Sequence, residues 1–200
     1  MTAQQRSRER GTMVTMRPTD PRDRAFEDLY ASTVDDIIRF LQRRVIRSSV
    51  EDVAAETFLT VWRRIDDLPT DTSEARAWTF GIARNCALNA LRSTGRQDSL
   101  AVRIAEHARP GRLVAVTGGP DATDAIETMV DLAAAWRQLP AHDQETLALT
   151  ALDELSSAQA GQVLGISAAA YRVRLMRARR TLRALLQTTP ASLQTQENLS

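Results

Sequence analysis

The residues best suited to binding a ligand lie near the carboxyl end of the chain, where arginines recur between a glycine and Pro190. They are Arg172, Arg174, Arg177, Arg179, Arg180 and Arg183. No Asp or Glu occurs from Leu155 to Ser192, so no carboxylate in this segment neutralises them. Guanidinium groups pair with guanine edges and with phosphates, and an α-helix fits the major groove of DNA. Since solvated surface helices usually mix charges of both signs, this purely basic segment indicates contact with DNA.

Two short helices joined by a turn are predicted to position these arginines. Ser156 and Gln159 have the spacing of a capping box, which starts the first helix. Gly165 suits the left-handed residue that ends it, and Ser167 can cap the next helix. The apolar stripe of that second helix recurs at steps of four and three residues: Tyr171, Leu175, Ala178, Leu182 and Leu185. The pattern predicts a helix-turn-helix whose basic face points away from the core.

Composition limits the class of protein and its compartment. The chain has 200 residues, a net charge of +1 and one cysteine, Cys86. A single cysteine excludes a disulfide framework and fits a reducing cytoplasm. No apolar run approaches the ~20 residues that span a bilayer, and the amino terminus lacks the apolar centre of a signal peptide. We therefore expect a cytoplasmic protein without membrane insertion.

Two helices, residues 126–139 and 141–152, are predicted directly before the helix-turn-helix, and three longer helices are predicted further upstream. Their starts are marked by polar residues at capping spacing: Asp20 before Pro21, Ser48 with Glu51, and Asp71 with Glu74. Each is followed by apolar residues at helical spacing, and the third helix is expected to run through Ser93. The second of these helices begins with an acidic side that includes Glu51, Asp52 and Glu56.

The helical segments fall into two groups separated by a stretch rich in glycine and proline. No strand-type alternation of useful length occurs, so we expect an all-α chain with two small helical domains joined by a flexible linker. The expected divisions are a disordered arm (1–19), a three-helix domain (20–93), the linker (94–125), a helix-turn-helix domain (126–188) and a disordered tail (189–200).

These segments, in this order, resemble the sigma-70 family of bacterial RNA polymerase subunits, within it the extracytoplasmic-function (ECF) group that keeps only the second and fourth conserved regions. The resemblance covers roughly residues 26–93 and 126–186. Its most specific pieces are residues 51–62, 76–85, 139–140, 164–167 and 172–180. A helix-turn-helix alone is common, whereas an acidic helix, a tryptophan-bearing helix and a linker before it are typical of this family.

The resemblance implies a sigma factor that directs promoter-specific initiation of transcription. It implies binding to core RNA polymerase through the coiled coil of the largest subunit and the flap of the second-largest subunit, binding to promoter DNA, and control by an anti-sigma factor. Asp52, Glu56 and Thr60 take the positions that contact the polymerase. An acidic patch suits a basic docking surface, although an acid at the start of a helix also complements the helix dipole.

The third helix and its preceding loop resemble the part of the family that melts the minus-ten promoter element. Melting needs groups that bind unstacked bases and strand phosphates more tightly than duplex. The resemblance assigns DNA contacts to Arg76, Trp78, Arg84, Asn85, Asn89 and Arg92. Residues 66–73 are expected to line a pocket for a flipped base. By helical spacing, Trp78 also fits a core position, as Trp62 and Trp136 do.

The last helix resembles the reader of the minus-thirty-five element. The positions that match DNA-contacting residues are Ser167, Arg172, Val173, Arg174, Met176, Arg177 and Arg179. The chain departs from the family here, because residues 169–172 replace a common Gly-Thr-Val-Lys and Val173 replaces a small polar residue. Gly161 stands where alanine is common, at an expected cost of about 1 kcal/mol in helix propensity.

Two other functions remain open from the sequence. An autonomous helix-turn-helix regulator that dimerises on palindromic DNA would explain the last two helices but leaves the acidic and tryptophan-bearing helices without a role. A protein that only occupies polymerase or an anti-sigma factor would tolerate weakened base recognition. An enzyme is not expected, since two histidines and one cysteine offer no catalytic or metal-binding spacing. No cofactor and no metal site are predicted.

Overall fold

A computed structural model describes residues 20–93 and 125–188, with side chains described from residue 132 in the second range. All regular structure in these ranges is helical, which confirms the all-α prediction. The α-helices are α1 (Pro21–Gln42), α2 (Val50–Arg63), α3 (Thr72–Ser93), α4 (Ala125–Gln138), α5 (Ala141–Ala151), α6 (Ser157–Leu164) and α7 (Ala168–Thr188). The predicted arm and tail, and the predicted linker up to residue 124, lie outside the described residues.

Helices α1 and α3 begin where the sequence predicts. The Asp20 carboxylate accepts a hydrogen bond from the Arg22 amide at 3.0 Å, ahead of Pro21 at the first helical position. The Asp71 carboxylate accepts one from the Glu74 amide at 2.9 Å. Each carboxylate thereby satisfies one of the amides that a helix start leaves unpaired.

The predicted capping box of Ser48 and Glu51 is wrong. Helix α2 begins at Val50 behind a single 3₁₀ turn, Arg47–Ser49, and its cap residue Ser49 makes no side-chain capping bond. Instead, the Ser49 amide donates to the Ile46 carbonyl at 2.9 Å and the Val50 amide to the Arg47 carbonyl. The backbone turn satisfies these amides, so the Ser48 hydroxyl is not needed.

Helices α1, α2 and α3 pack around one apolar centre. Ile37, Phe40 and Phe80 are fully buried there, with the two phenyl rings edge to face at 5.2 Å between centroids. The expectation that tryptophans occupy the core is met by Trp136, which is 2% exposed, but not by Trp62, which is 37% exposed. Trp62 lies at the outer edge of the α1 and α2 contact, where its ring meets Phe26 edge to face.

The helix-turn-helix of α6 and α7 has the predicted local geometry. Ser156 and Gln159 exchange both capping-box hydrogen bonds, at 2.8 and 3.3 Å. Gly165 ends α6 in the left-handed conformation, with φ of 69°. The Ser167 hydroxyl then accepts from the Ala170 amide at 3.1 Å and starts α7. These short-range contacts set the angle between the two helices.

Gly161 is required by packing, which corrects its interpretation as a simple loss of helix propensity. A Cβ at this position would lie 2.8 Å from the Ile166 carbonyl oxygen and 3.3 Å from the Ala168 amide nitrogen. Both atoms belong to the backbone of the turn into α7. The absence of a side chain therefore lets α6 approach that turn closely.

Tyr171 anchors α7 to α5. Its side chain is fully buried, and its hydroxyl donates to the Thr146 carbonyl at 2.7 Å. Because that proton is used, the Thr150 hydroxyl, also at 2.7 Å, acts as donor to the phenol oxygen. Burial raises the pKa of Tyr171 to about 12, although the Thr150 hydrogen bond opposes the shift. Tyr171, one of the residues at which the chain departs from the family pattern, is thus a core residue.

The two domains pack on each other, with α3 lying along α6. Buried apolar side chains from both domains form one continuous cluster. Within the described residues, no helix is long and apolar enough to cross a bilayer.

Replacing Gly161 with alanine should destabilise the protein by about 1–3 kcal/mol, because the new methyl group overlaps backbone that cannot move aside. Urea unfolding of the full chain measures the change. Gly81 in α3 is the matched control, since a Cβ there meets nothing within 4 Å. Gly81→Ala should therefore stabilise the protein by about 0.5–1 kcal/mol through helix propensity. A Gly161→Ala protein as stable as the wild type would refute the close approach.

Tyr171→Phe should lower the free energy of unfolding at neutral pH by about 1–2 kcal/mol, the contribution of two hydrogen bonds. A raised folded pKa favours the protonated phenol, so this stability is present below pH 10 and is lost as pH rises through 12. The difference in free energy of unfolding between the wild type and Tyr171→Phe should therefore shrink as pH rises from 10 to 12. Tyr30→Phe, at an exposed tyrosine, is the control and should change stability by less than about 0.5 kcal/mol.

Candidate nucleic-acid and protein interfaces

The predicted polymerase-binding residues share one exposed side of α2. Asp52 and Glu56 are exposed and Thr60 is half-buried, at successive steps of four residues. At about 100° per residue, Leu59 lies about 20° around the helix from Asp52, on the side away from Glu56, and it is 48% exposed. We name Asp52, Glu56, Leu59 and Thr60 the acidic surface.

An aromatic cluster borders the acidic surface and was not predicted as functional. Four aromatic rings from α1 and α2 are linked by successive ring-to-ring contacts. The centroid distances are 5.9 Å for Phe26 to Tyr30, 5.4 Å for Phe26 to Trp62 and 4.6 Å for Tyr30 to Phe58. Tyr30 and Trp62 are 42% and 37% exposed. The i, i+4 spacing of the two pairs was visible in the sequence, but that spacing equally fits a core stripe.

The residues predicted to contact the minus-ten element fall on two opposite sides of α3. Asn85, Asn89 and Arg92 are exposed on the same side as the half-buried Trp78. An Arg92 amino group donates to the Asn89 side-chain oxygen at 2.9 Å, and the Arg64 guanidinium lies 5.6 Å from the Trp78 ring. We name Trp78, Asn85, Asn89 and Arg92 the outer face of α3.

Arg76 and Arg84 lie on the inner side of α3, facing the second domain. Arg84 donates two hydrogen bonds to the Glu145 carboxylate, at 2.7 and 3.2 Å. Arg76 pairs with Asp36 at 2.8 Å and also donates to the backbone carbonyl of Asp153 at 3.0 Å. Burial raises the pKa of the Asp36 carboxyl, but its contacts with Arg76 and Arg39 outweigh burial and hold the pKa below its ordinary value.

A buried ion cluster completes the contact between the domains. The Asp153 side chain, on the loop between α5 and α6, is fully buried and binds Arg44 at 2.8 Å and Arg43. Arg44 also stacks on Phe40, with its guanidinium carbon 3.6 Å from the ring centroid. Burial lowers the pKa of Arg44 and the charge of Asp153 opposes that shift. We name Arg43, Arg44 and Asp153 the Asp153 clasp.

The clasp could not be found from sequence, because its members are about 110 residues apart in the chain. Arginines at the end of α1 are adequately explained as complements of the helix dipole. Among the described residues, the Nε atoms of Arg43 and Arg44 are buried without a hydrogen-bond partner. The clasp therefore holds two guanidinium groups against one carboxylate and leaves part of their hydrogen-bonding capacity unused.

A groove of about 450 Å³ lies where residues 66–73 were expected to form a pocket. Leu68, Pro69 and Thr70 line one wall, and Leu29 and Thr33 of α1 line the other. The walls are mainly apolar, and Arg76 and Asp28 add charged groups. Its size and lining suit a planar aromatic group with polar edges.

The predicted minus-thirty-five residues are mostly accessible on α7. Arg172, Val173, Met176 and Arg177 are exposed, whereas Arg174 and Arg179 are half-buried. Ser167 is exposed, but its hydroxyl already accepts a bond from the helix start. Helices α4, α5 and α6 pack against one side of α7, and the exposed residues lie on its other side.

Comparison with known proteins gives matches over both domains. The Sigma-70 region 2 family model matches residues 29–97, and the Sigma-70 region 4 model matches residues 129–182. The ECF RNA polymerase sigma factor SigC of Mycobacterium tuberculosis is 30% identical over 92% of this chain and 95% of its own length. SigM of Bacillus subtilis is 27% identical over 80% of this chain and 93% of its own length.

Two solved structures have a similar fold. One is CnrH in complex with the cytosolic domain of CnrY, with a TM-score of 0.54 and 27% identity over 83% of this chain and 90% of that one. The other is RpoE of Bartonella quintana in complex with the anti-sigma factor NepR. It has a TM-score of 0.55 and 24% identity, over 82% of this chain and 98% of that one. Together with the two region matches and the near full-length similarity to SigC, these findings place the chain in the sigma-70 family of RNA polymerase sigma factors, in its ECF group.

Proposed function

We propose that this ECF sigma factor divides promoter-specific initiation between two oppositely charged surfaces on separate domains. The acidic surface of α2 binds core RNA polymerase, and the basic side of α7 binds the minus-thirty-five element. The observation that carries the proposal is that both surfaces stay exposed while the domains are packed together. Asp52, Glu56 and Leu59 are exposed on one surface, and Arg172, Met176 and Arg177 are exposed on the other.

The acidic surface has the composition of a docking site for a basic coiled coil. Asp52 and Glu56 supply charge that steers association, and Leu59 supplies apolar area beside them. Trp62 and Tyr30 extend that area at the edge, and large aromatic side chains often provide much of the affinity of an interface. We propose that Leu59 and Trp62 strengthen a contact whose direction is set by the two carboxylates.

The outer face of α3 and the neighbouring groove fit the minus-ten role. Asn85, Asn89 and Arg92 present hydrogen-bond donors to a strand, and the Trp78 ring offers a partly exposed stacking surface. The groove beside Leu68 and Pro69 receives a base flipped from the non-template strand. Arg76 lines this groove, and its guanidinium is bonded there to Asp36 and to the Asp153 carbonyl.

The chain is proposed to act by binding alone. Opening a promoter requires no covalent step, only tighter binding to unstacked bases than to duplex. We propose that it works in the cytoplasm with core polymerase. RpoE of Bartonella quintana is solved in complex with the anti-sigma factor NepR, and CnrH is solved in complex with the cytosolic domain of CnrY. These complexes support a partner of the anti-sigma class here.

An autonomous helix-turn-helix regulator is not favoured. The match to SigC extends over 92% of the chain, and region 2 is matched as well as region 4. The most direct test is run-off transcription with core polymerase on a library of genomic promoters. Promoter-dependent transcripts are expected only when the factor is present. Absence of such transcripts, with palindromic DNA bound by the factor alone, would favour the regulator.

Asp52→Lys combined with Glu56→Lys should weaken binding to core polymerase by about tenfold to a hundredfold, because like charges then face a basic partner. Fluorescence anisotropy of labelled factor titrated with core polymerase measures the change. Glu27→Lys with Asp35→Lys, at two exposed acids of α1, is the control with the same net charge and should change affinity by less than about threefold. Equal affinities of the two double variants would refute the role of the acidic surface.

A further inference from the structure

The exposed side of α7 is apolar along its amino-terminal half. Ala169, Val173 and Met176 are exposed and follow each other at steps of four and three residues, so their side chains are neighbours. Met176 is 63% exposed and Val173 is 45% exposed. Arginines border this strip on both sides and at its far end: Arg172, Arg177, Arg180 and Arg183.

The basic border fits a polyanion, which selects DNA over an apolar protein surface as the occupant. In a helix-turn-helix, residues in the first turns of the second helix face base edges. Aliphatic side chains and a thioether form no strong hydrogen bond there. The apolar feature that the major groove presents at a base edge is the 5-methyl group of thymine.

We propose that Val173 and Met176 select thymine in the minus-thirty-five element by contact with its methyl group, while the bordering arginines bind phosphates and guanine. The proposal rests on α7 being the minus-thirty-five reader. It names a hydrophobic readout at a position where the family resemblance leads us to expect a small polar residue.

Replacement of thymine by deoxyuridine tests this readout, because only the methyl group is removed. Duplexes are first enriched with the factor and core polymerase from a library randomised over the minus-thirty-five element. Each thymine in the enriched element is then replaced in turn. Loss of one buried methyl should weaken binding about fourfold at the thymines under Val173 and Met176. Replacement in the spacer between the elements should have no effect.

Protein variants assign the effect to side chains. Val173→Ala and Met176→Ala should each abolish the thymine preference at one position. Arg180→Gln should weaken binding to all duplexes and lower the salt dependence, with the ratio of thymine to deoxyuridine affinities unchanged. An enriched element without thymine, or a ratio near one throughout, overturns the proposal. Failure to enrich any element would instead contradict the assignment of α7 as reader.

Discussion

The burial of Asp153 between two arginines is the interaction on which the arrangement of the domains depends. Removing a carboxylate and two guanidinium groups from water costs several kcal/mol per ion, which attraction recovers only when every polar atom is paired. Asp153 is paired with Arg43 and Arg44, but the Nε atom of each arginine is buried without a hydrogen-bond partner. The cluster therefore fixes the register of the two domains more than it strengthens their contact. An apolar contact of equal area would hold them together without selecting one orientation.

That orientation decides which surfaces are free. The inner side of α3 is covered by the second domain, whereas the acidic surface of α2 and the exposed side of α7 are not. In this arrangement Arg76 and Arg84 are bonded to the second domain, whereas Asp52 and Glu56 are exposed to solvent.

Sequence patterns predicted the features that depend on neighbours within four residues. The caps at Asp20, Asp71 and Ser156 and the left-handed Gly165 are all of this kind. The Ser48 capping box failed although its spacing was right, because a 3₁₀ turn offered backbone partners instead. Features set by distant contacts had no local signal, as the Asp153 clasp illustrates. The division of the predicted minus-ten residues between two sides of α3 was accessible in principle from helical periodicity. Which of the two sides packs against the second domain was not.

Two family departures that lie two residues apart illustrate the same limit. At about 100° per residue, Tyr171 and Val173 point to nearly opposite sides of α7. Tyr171 reaches inward to the Thr146 carbonyl and the Thr150 hydroxyl, so its larger side chain fixes how the helix sits on α5. Val173 reaches outward and is 45% exposed, so its change alters the surface offered to a ligand. One departure therefore sets the position of α7 on α5, and the other changes the chemistry of its exposed side.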